Sequence, residues 1–354
     1  MCRNPQKEEM MVYQIELADA DEVGDLGVLH LKRLWSKSRL GLRGRLPDAL
    51  KDKEWTRDMM VIDGLALPLE HTMRVLHQDA STFDAFEDWI LKSNGGHIDQ
   101  WRIDRINANV RNEPYSHEVN NFLSDIDNHA PVLSEEDLAF FHENGYVKAK
   151  GAVPKETCRA AAKAIWDFMG MDAHDPESWY QGQASIMVPL FDHPAMWAAR
   201  KSPGIHKAFS QAWGTSDLWM SVDKAALNPP ERHDWHFPGP SLHWDTSLIP
   251  PVKFGMQGIL CLTDTTADQG AFTTVPGFHK KIDRWLKELP PDANPREQDL
   301  LSLGAKSIPG EVGDLIIWQN AMPHGASPNR AQSPRIVMFI DMYPEQREFY
   351  ASWK

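Results

Sequence analysis

From about residue 218 onward, the chain is built of short apolar runs separated by turns rich in proline and glycine. These runs are LWMSVDKAAL, KFGMQGILCL, GAFTTVP, GDLIIWQ and RIVMFIDMY. Runs of this length between such turns are typical of strands in a sandwich or barrel, whereas helices need longer periodic segments. The pattern therefore predicts a mainly β core for this part of the chain, flanked by the helices that other segments predict.

The N-terminal part of the chain has a helical pattern instead. Apolar residues at helical spacing predict a helix over Asp19–Trp35. A second helix is predicted after Pro68, where Leu69, Met73 and Leu76 share one face. Ser81 is expected to cap a third helix that stops at Gly95 and Gly96, while the polar stretch that follows is ambiguous. We therefore predict a helical N-terminal region over residues 1–130.

A second unit, residues 131–354, is predicted to begin with a helix and a strand. Ser134 and Asp137 have the spacing of a capping box, and Gly145 is expected to end the helix that they start. Residues 146–149 then form a strand candidate, and a further helix is predicted from about Lys155 to Met169. This order places helices next to the β core.

Charge and cysteine content limit the partners and the compartment. The net charge of -13 argues against a nucleic-acid partner, because such binding depends on Lys and Arg neutralising phosphates. We expect no membrane span, since no apolar run reaches about 18 residues, and no secretory signal in the polar N-terminus. Cys2, Cys158 and Cys261 form no CxxC pair, which favours a reducing cytoplasm.

The clearest chemical signal is the tripeptide His243-Trp244-Asp245. On an extended strand, residues i and i+2 face the same side, so His243 and Asp245 can share one cation. By itself the motif is weak, because a surface turn whose His and Asp only hydrogen-bond locally explains most such pairs. A second histidine, His324, follows 81 residues later in MPHGASPN. Two histidines and one carboxylate on one face of an octahedron leave positions open, as non-haem iron(II) oxygenases require.

Four segments between about Leu133 and Tyr343 resemble the phytanoyl-CoA dioxygenase family of iron(II)- and 2-oxoglutarate-dependent oxygenases. They occur in the family's order and are LSEEDLAFFHENGYVKAKGAV, HWD, DQGAFTTVPGFHK and GDLIIWQNAMPHGASPNRAQSPR. Two positions depart from the family's pattern, with Phe278 where serine is usual and Ala326 where some relatives carry serine. Residues 1–130 lie outside the resemblance.

The resemblance implies a fold and a metal centre. The fold is a double-stranded β-helix of the jelly-roll, cupin-like type. The implied metal is Fe(II), held by His243, Asp245 and His324, with O2 as the oxidant. Halogenases of this superfamily carry a small residue at the carboxylate position, so Asp245 argues for hydroxylation or a related oxidation.

The resemblance also implies where the co-substrate, 2-oxoglutarate, is bound. Arg335 lies 11 residues after His324, where the family's arginine for the far carboxylate falls. An arginine suits that role because its planar fork makes two parallel hydrogen bonds to a carboxylate. Arg330 is a nearer alternative but lies in the NRAQSP turn. Lys224 and Gln257 are weaker candidates for contacts with the co-substrate.

The expected activity is a 2-oxoglutarate-dependent dioxygenase that hydroxylates, or otherwise oxidises, an unactivated C–H bond and releases succinate and CO2. The substrate is expected to be a small molecule, such as a secondary metabolite, an amino acid or an acyl thioester. Two alternatives remain open: a catalytically inactive family member that acts as a binding protein, and a cupin-like enzyme that does not use 2-oxoglutarate. The oligomeric state and the role of residues 1–130 are also left open.

Overall fold

The computed structural model describes residues 15–47, 50, 54–180, 185–239, 241–348 and 350. The chain divides into two compact units, residues 1–119 and 120–354. The division falls inside one helix, His117–Asn128. The start of the oxygenase domain near residue 131 stays a prediction.

The described part of the first unit is helical, as predicted for the N-terminal region. Its helices are α1 (Leu31–Leu42), α2 (Trp55–Gly64), α3 (Leu69–Arg74), α4 (Phe83–Ser93) and α5 (Gln100–Arg111), with a π-helical turn at Val75–Asp79. A network of buried charges joins α1 to α2. Lys37 Nζ lies 2.5 Å from an Asp58 oxygen, and His30 Nε2 lies 2.8 Å from the other. Arg33 makes a fork of hydrogen bonds to Glu54.

The predicted helix over Asp19–Trp35 is wrong for residues 19–30, because α1 begins only at Leu31. The backbone amides of Asp25 and Leu26 instead donate to the carboxylate of Glu87, which holds this stretch out of a helix. The helix expected after Pro68 is confirmed as α3.

Helix α4 is confirmed in its extent but not in its cap. The side chain of Thr82, rather than that of Ser81, accepts the amide of Ala85. The ambiguous polar stretch after Gly96 forms α5, Gln100–Arg111.

The second unit contains helices and a β core, which confirms the predicted fold class. Its helices are α6 (His117–Asn128), α7 (Glu135–Asn144), α8 (Lys155–Met169), α9 (Pro194–Arg200), α10 (Pro203–Trp213) and α11 (Ile282–Glu288). The strands are β1 (Tyr146–Ala149), β2 (Met187–Val188), β3 (Trp219–Met220), β4 (Ala225–Asn228), β5 (Met256–Cys261), β6 (Phe272–Thr274), β7 (Lys306–Ile308), β8 (Leu315–Gln319), β9 (His324–Gly325), β10 (Arg335–Phe339) and β11 (Met342–Tyr343). The capping box of Ser134 and Asp137, strand β1 and helix α8 are confirmed.

Two antiparallel sheets form the double-stranded β-helix. The larger has the order β1-β8-β5-β10-β4-β2, and the smaller has the order β7-β6-β9. Side chains of the larger sheet alternate between two hydrophobic cores. In β10, for example, Ile336 and Met338 pack in the core that contains helices α8 to α10, whereas Val337 packs in the core that contains the smaller sheet. Strands β3 and β11 pair with each other in a separate two-stranded antiparallel sheet.

Each of the five apolar runs contains at least one strand, as predicted. Two runs are split: LWMSVDKAAL forms β3 and β4, and RIVMFIDMY forms β10 and β11. Both interruptions involve the same contact, since the amide of Asp341 donates to the hydroxyl of Ser221 and the amide of Ser221 donates to the carbonyl of Asp341. In the described part of the chain, no helix is both long and apolar enough to cross a membrane.

Candidate metal centre

The two histidines of the predicted site face each other across a short antiparallel bridge. The amide of His243 donates to the carbonyl of His324 at 2.9 Å, and the amide of His324 donates back at the same distance. The imidazole centroids are therefore only 4.8 Å apart, although 81 residues separate the two histidines in sequence. Strand β9, which carries His324, is held in turn by β6.

Asp245 completes the group. Its Oδ1 lies 3.5 Å from Nε2 of His243, and its Oδ2 lies 3.3 Å from Nε2 of His324. Ligand atoms that bind one ion at about 2.1 Å and at right angles are about 3 Å apart, so the three side chains suit one shared cation. The intervening Trp244 is buried on the other side, where its indole packs near Phe278 and Trp285.

The hydrogen bonds of the two imidazoles leave both Nε2 atoms as electron-pair donors. Nδ1 of His243 lies 3.0 Å from the carbonyl of Ser241, and Nδ1 of His324 lies 3.1 Å from the carbonyl of Met322. A carbonyl oxygen only accepts, so each Nδ1 must carry a proton. In the neutral rings, both Nε2 lone pairs then face the carboxylate of Asp245. A set of acceptors at this spacing needs a cation between them, so these residues fit a divalent metal.

The electrostatics of the site favour the protonation states that metal ligands need. Burial lowers the pKa of His243, and the neighbouring His324 lowers it further, which keeps the ring of His243 neutral. Burial would raise the pKa of Asp245, but the neighbouring His324 and the hydrogen bond from Gln257 outweigh it and hold the pKa well below its ordinary value. Asp245 is therefore a carboxylate at neutral pH.

Two further residues hold Asp245 in place. Nε2 of Gln257 donates to Oδ2 of Asp245 at 3.0 Å. The guanidinium of Arg296 donates to the carbonyls of Trp244 and Thr246, each at 2.7 Å. These two hydrogen bonds fix the backbone on both sides of Asp245. Sequence reasoning missed Arg296, because it lies in a short 3-10 turn, Pro295–Glu297, that matches no motif.

A cavity of about 230 Å³ adjoins the three candidate ligands. Arg335, the first residue of β10, lines this cavity and is only 4% exposed. Among the described residues, no carboxylate lies within ion-pair distance of its guanidinium. Burial lowers the pKa of Arg335 to about 10, so the group is still a cation at neutral pH. A buried cation that faces a cavity without a counter-ion is suited to an anionic ligand.

Lys224 and Gln257 line the same cavity, as does Ala326. Arg330, the alternative to Arg335, is exposed and is not among the lining residues. Sequence reasoning missed Asp341, which also lines the cavity. Strand alternation from Arg335 through 337 and 339 could have placed Asp341 on the same face.

A second group in the first unit brings together His30, Glu54 and Asp58. Here Lys37 and Arg33 already supply the positive charge, through ion pairs with Asp58 and Glu54. The carboxylates are therefore neutralised by side chains, which is the arrangement of a structural ion-pair network.

Comparisons with known proteins agree on one family. The family model described as Phytanoyl-CoA dioxygenase (PhyH) matches residues 141–337. A curated protein of Dictyostelium discoideum, described as "Putative phytanoyl-CoA dioxygenase", is 21% identical over 258 residues, which are 58% of this chain and 74% of that protein.

Solved structures with a similar fold include two enzymes of nogalamycin biosynthesis. The non-haem α-ketoglutarate-dependent carbocyclase SnoK is 18% identical, with a TM-score of 0.45 over 64% of this chain and 88% of that chain. The α-ketoglutarate-dependent epimerase SnoN is also 18% identical, with a TM-score of 0.44 over 59% of this chain and 80% of that chain.

The β-helix fold and the two-histidine, one-carboxylate group define the class as a non-haem iron, 2-oxoglutarate-dependent oxygenase. Because the family model covers more than half of the 354 residues, the chain belongs to the phytanoyl-CoA dioxygenase family. The sequence-based expectation of this family is thereby confirmed, together with the expectation that the protein is an enzyme.

Proposed function

We propose that this protein binds Fe(II) through His243, Asp245 and His324, binds 2-oxoglutarate through Arg335, and uses O2 to oxidise a C–H bond of a small-molecule substrate. Succinate and CO2 are the proposed co-products. When bound, iron and 2-oxoglutarate supply the oxidising power for this reaction. The protein's own residues bind, orient and shield the reactants.

The observation that carries the proposal is that two complementary requirements meet in one cavity. Three acceptor groups, those of His243, Asp245 and His324, require a cation. Arg335, a buried guanidinium in the same cavity, requires an anion. 2-Oxoglutarate meets both requirements, because one end of the molecule chelates a metal and the other end is a carboxylate.

Burial differs among the three ligands in a way that suits this function. The side chain of His324 is only 6% exposed, whereas that of Asp245 is 50% exposed. Aromatic rings surround His324, with Trp318 at 4.8 Å and Phe272 at 6.3 Å between centroids. The side of the centre at His324 is therefore shielded from water, whereas the side at Asp245 is open to it.

The proposal is tested by titrating 2-oxoglutarate and Fe(II) into the full-length protein and by measuring succinate formation under air. We expect iron-dependent succinate formation. Arg335→Gln should weaken 2-oxoglutarate binding roughly 10- to 100-fold, since it removes a charge-assisted pair of hydrogen bonds. Arg330→Gln is the matched control and should leave the affinity unchanged, because Arg330 is exposed outside the cavity.

The same experiment separates the alternatives. A protein that binds neither iron nor 2-oxoglutarate would be an inactive family member. A protein that binds iron but whose affinity for 2-oxoglutarate does not respond to Arg335→Gln would be a cupin-like enzyme of another kind.

We also propose a reducing cytoplasm as the location, which is supported by the free thiols of Cys158 and Cys261.

A further inference from the structure

Two side chains that line the cavity are direct partners on neighbouring strands of the larger sheet. Gln257 in β5 is opposite Trp318 in β8 in the antiparallel register. Residues paired in this way have Cβ atoms about 5 Å apart on the same face of the sheet. Each of the two also contacts a candidate metal ligand, because Gln257 donates to Asp245 and Trp318 packs against His324. The pair therefore lies beside the candidate metal centre.

The amide of Gln257 has a fixed orientation. The carboxylate of Asp245 only accepts hydrogen bonds, so the nitrogen of the amide must face it, and Nε2 donates to Oδ2 at 3.0 Å. The amide oxygen, Oε1, is buried and has no hydrogen-bond partner within the described part of the chain. Because the oxygen and nitrogen of one amide are roughly 2.3 Å apart, Oε1 lies within about 5 Å of the carboxylate of Asp245.

Trp318 shows the opposite case, a donor without an acceptor. Its side chain is almost completely buried, and among the described residues no acceptor lies within hydrogen-bond distance of its Nε1. The neighbouring Trp244, by contrast, donates to the carbonyl of Ala321 at 3.1 Å. A buried polar group is costly to leave unpaired, so such a group beside a cavity indicates that a bound molecule completes its hydrogen bonding.

The two groups together limit what that molecule can be. Oε1 of Gln257 needs a donor, whereas Nε1 of Trp318 needs an acceptor. A hydroxyl group meets both needs with one atom, because its oxygen donates one hydrogen bond and accepts others. An ether or a carboxylate only accepts, and an ammonium only donates. Ionised 2-oxoglutarate has no donor, so it cannot complete the hydrogen bonding of Gln257.

The rest of the cavity defines the body of the ligand. Charged side chains of both signs, Asp223 and Lys224 among them, line the cavity, so its charge does not select a cationic substrate. Its volume of about 230 Å³ is below the roughly 300 to 1,000 Å³ of typical ligand pockets, so the enclosed part of a substrate is compact. The large lining residues are mainly apolar, and they include Ile186, Met187, Ile259, Phe272 and Phe339.

We propose that Gln257 and Trp318 bind a neutral hydroxyl group of the primary substrate, which donates to Oε1 of Gln257 and accepts from Nε1 of Trp318. The substrate class is accordingly a compact alcohol with an apolar body. Because Oε1 lies near the carboxylate of Asp245, the hydroxyl holds the C–H bonds next to it close to the metal centre. This inference rests on the proposed function, since it assigns the substrate of the same cavity, and it moves Gln257 from the co-substrate to the substrate.

The first test compares three probes in the full-length protein, loaded with Fe(II) and 2-oxoglutarate under nitrogen so that no turnover occurs. 1-Butanol both donates and accepts, its isomer 1-methoxypropane only accepts, and butylammonium only donates. We expect 1-butanol to bind about fivefold more tightly than either of the others, the usual net effect of one additional hydrogen bond. Calorimetric titration measures the three dissociation constants.

The second test uses Trp318→Phe, which removes the N–H group but keeps an aromatic ring at this position. It should weaken the binding of 1-butanol and of 1-methoxypropane about fivefold each, because both accept from Nε1. The affinity for butylammonium, which accepts nothing, should not change. Trp197→Phe is the matched control and should leave all three affinities unchanged, since the indole of Trp197 donates to Asp192 outside the cavity.

The inference is overturned if 1-methoxypropane or butylammonium binds as tightly as 1-butanol, because the substrate would then leave one of the two groups to water. It is also overturned if no probe binds, or if Trp318→Phe weakens all three probes equally or none of them. The comparison of probes in the unmodified protein decides the question if Trp318→Phe does not fold. A protein that binds no 2-oxoglutarate contradicts the proposed function, whereas one that binds 2-oxoglutarate without preferring 1-butanol contradicts only this inference.

Discussion

Arg296 positions the carboxylate of Asp245 through the backbone rather than through a side-chain contact. Its two donors reach the carbonyls on either side of that residue, Trp244 and Thr246. The fork of a guanidinium suits two carbonyls at this spacing, whereas a lysine could satisfy only one of them at a time. The orientation of one candidate ligand thus depends on a residue 51 positions away in sequence.

We expect Arg296→Gln to weaken metal binding by about 10- to 100-fold, the usual effect of losing a group that orients a ligand. Arg296→Lys should restore part of the affinity. The measurement is a titration with Fe(II) in the absence of oxygen. Arg284→Gln is the control, because Arg284 is an exposed partner of Glu288 on α11. An affinity for Fe(II) that does not change in Arg296→Gln would show that Arg296 has no positioning role.

The segment that carries His243 and Asp245 is held in place by aromatic packing of Trp244. Trp244 is 1% exposed, and its ring centroid lies 6.0 Å from that of Phe278 and 5.9 Å from that of Trp285. Phe278 is 5.4 Å from Trp285. Phenylalanine at position 278, where the family usually has serine, therefore fills a space that these two tryptophans enclose.

Phe278→Ser brings back the residue usual in the family, yet we expect it to destabilise this protein by about 3 kcal/mol, because it leaves a cavity beside two large rings and removes a buried ring. The free energy of unfolding in urea measures the effect. Phe168→Ser is the control, since Phe168 is 51% exposed and its loss should cost less than about 0.5 kcal/mol. Equal stability of the two variants would contradict the packing argument.

The ion-pair network between α1 and α2 makes the first unit sensitive to acid. Burial by itself would raise the pKa of Glu54, but hydrogen bonds from Arg33 and Lys37 outweigh it and lower the pKa to about 2. A carboxylate with a lowered pKa in the folded state stabilises that state above its ordinary pKa of 4.5, and the contribution is lost as the pH falls towards 2.

We therefore expect the stability of the wild-type protein to fall more steeply between pH 5 and pH 2.5 than that of Glu54→Gln, which has no proton to gain at this position. The measurement is the free energy of unfolding as a function of pH for both proteins. All other carboxylates are common to the pair, so the difference between the two curves isolates Glu54. Parallel curves would mean that the network does not hold Glu54 in its charged form.

At the scale of the whole molecule, α6 marks where the second unit begins. The carbonyl of Asp127 accepts from Nζ of Lys207 at 2.8 Å, and Lys207 is buried. The carboxylate of Asp127 accepts from the hydroxyl of Ser216, and Phe122 packs edge-on against His206, 5.6 Å between centroids. These contacts all lie within residues 120–354, so α6 contributes to that unit.

A fragment of residues 131–354 should accordingly be less stable than one of residues 120–354, by about 2 to 3 kcal/mol. The shorter fragment leaves the buried ammonium of Lys207 without its carbonyl acceptor. Urea unfolding of the two fragments measures the difference. Asp127→Asn in the longer fragment is a control that should cost little, because it keeps the carbonyl. Equal stabilities would support the domain start near residue 131 that the sequence predicts.

The sequence by itself determined the features that depend on local geometry. The i, i+2 spacing predicted that His243 and Asp245 share one side, and they do so although His243 lies in an isolated bridge and Asp245 in a bend rather than in a strand. The capping box at Ser134 and the helix Lys155–Met169 follow from hydrogen bonds and apolar spacing within a few residues of each other. The order of the family's motifs along the chain was sufficient to predict the family and, with it, the β-helix fold.

Tertiary structure decided what depends on contacts between distant segments. Residues 19–30 have a helical pattern, but the carboxylate of Glu87 binds two of their amides. Arg296 reaches the backbone beside Asp245, and Asp341 reaches the cavity, only because packing brings a distant turn and a strand end to these places. Strand register brings Lys224, Gln257 and Asp341 together, and register is set by the hydrophobic pattern of whole sheets rather than by neighbours in sequence. The candidate ligands His243, Asp245 and His324 could therefore be predicted, whereas Arg296 and Asp341 could not.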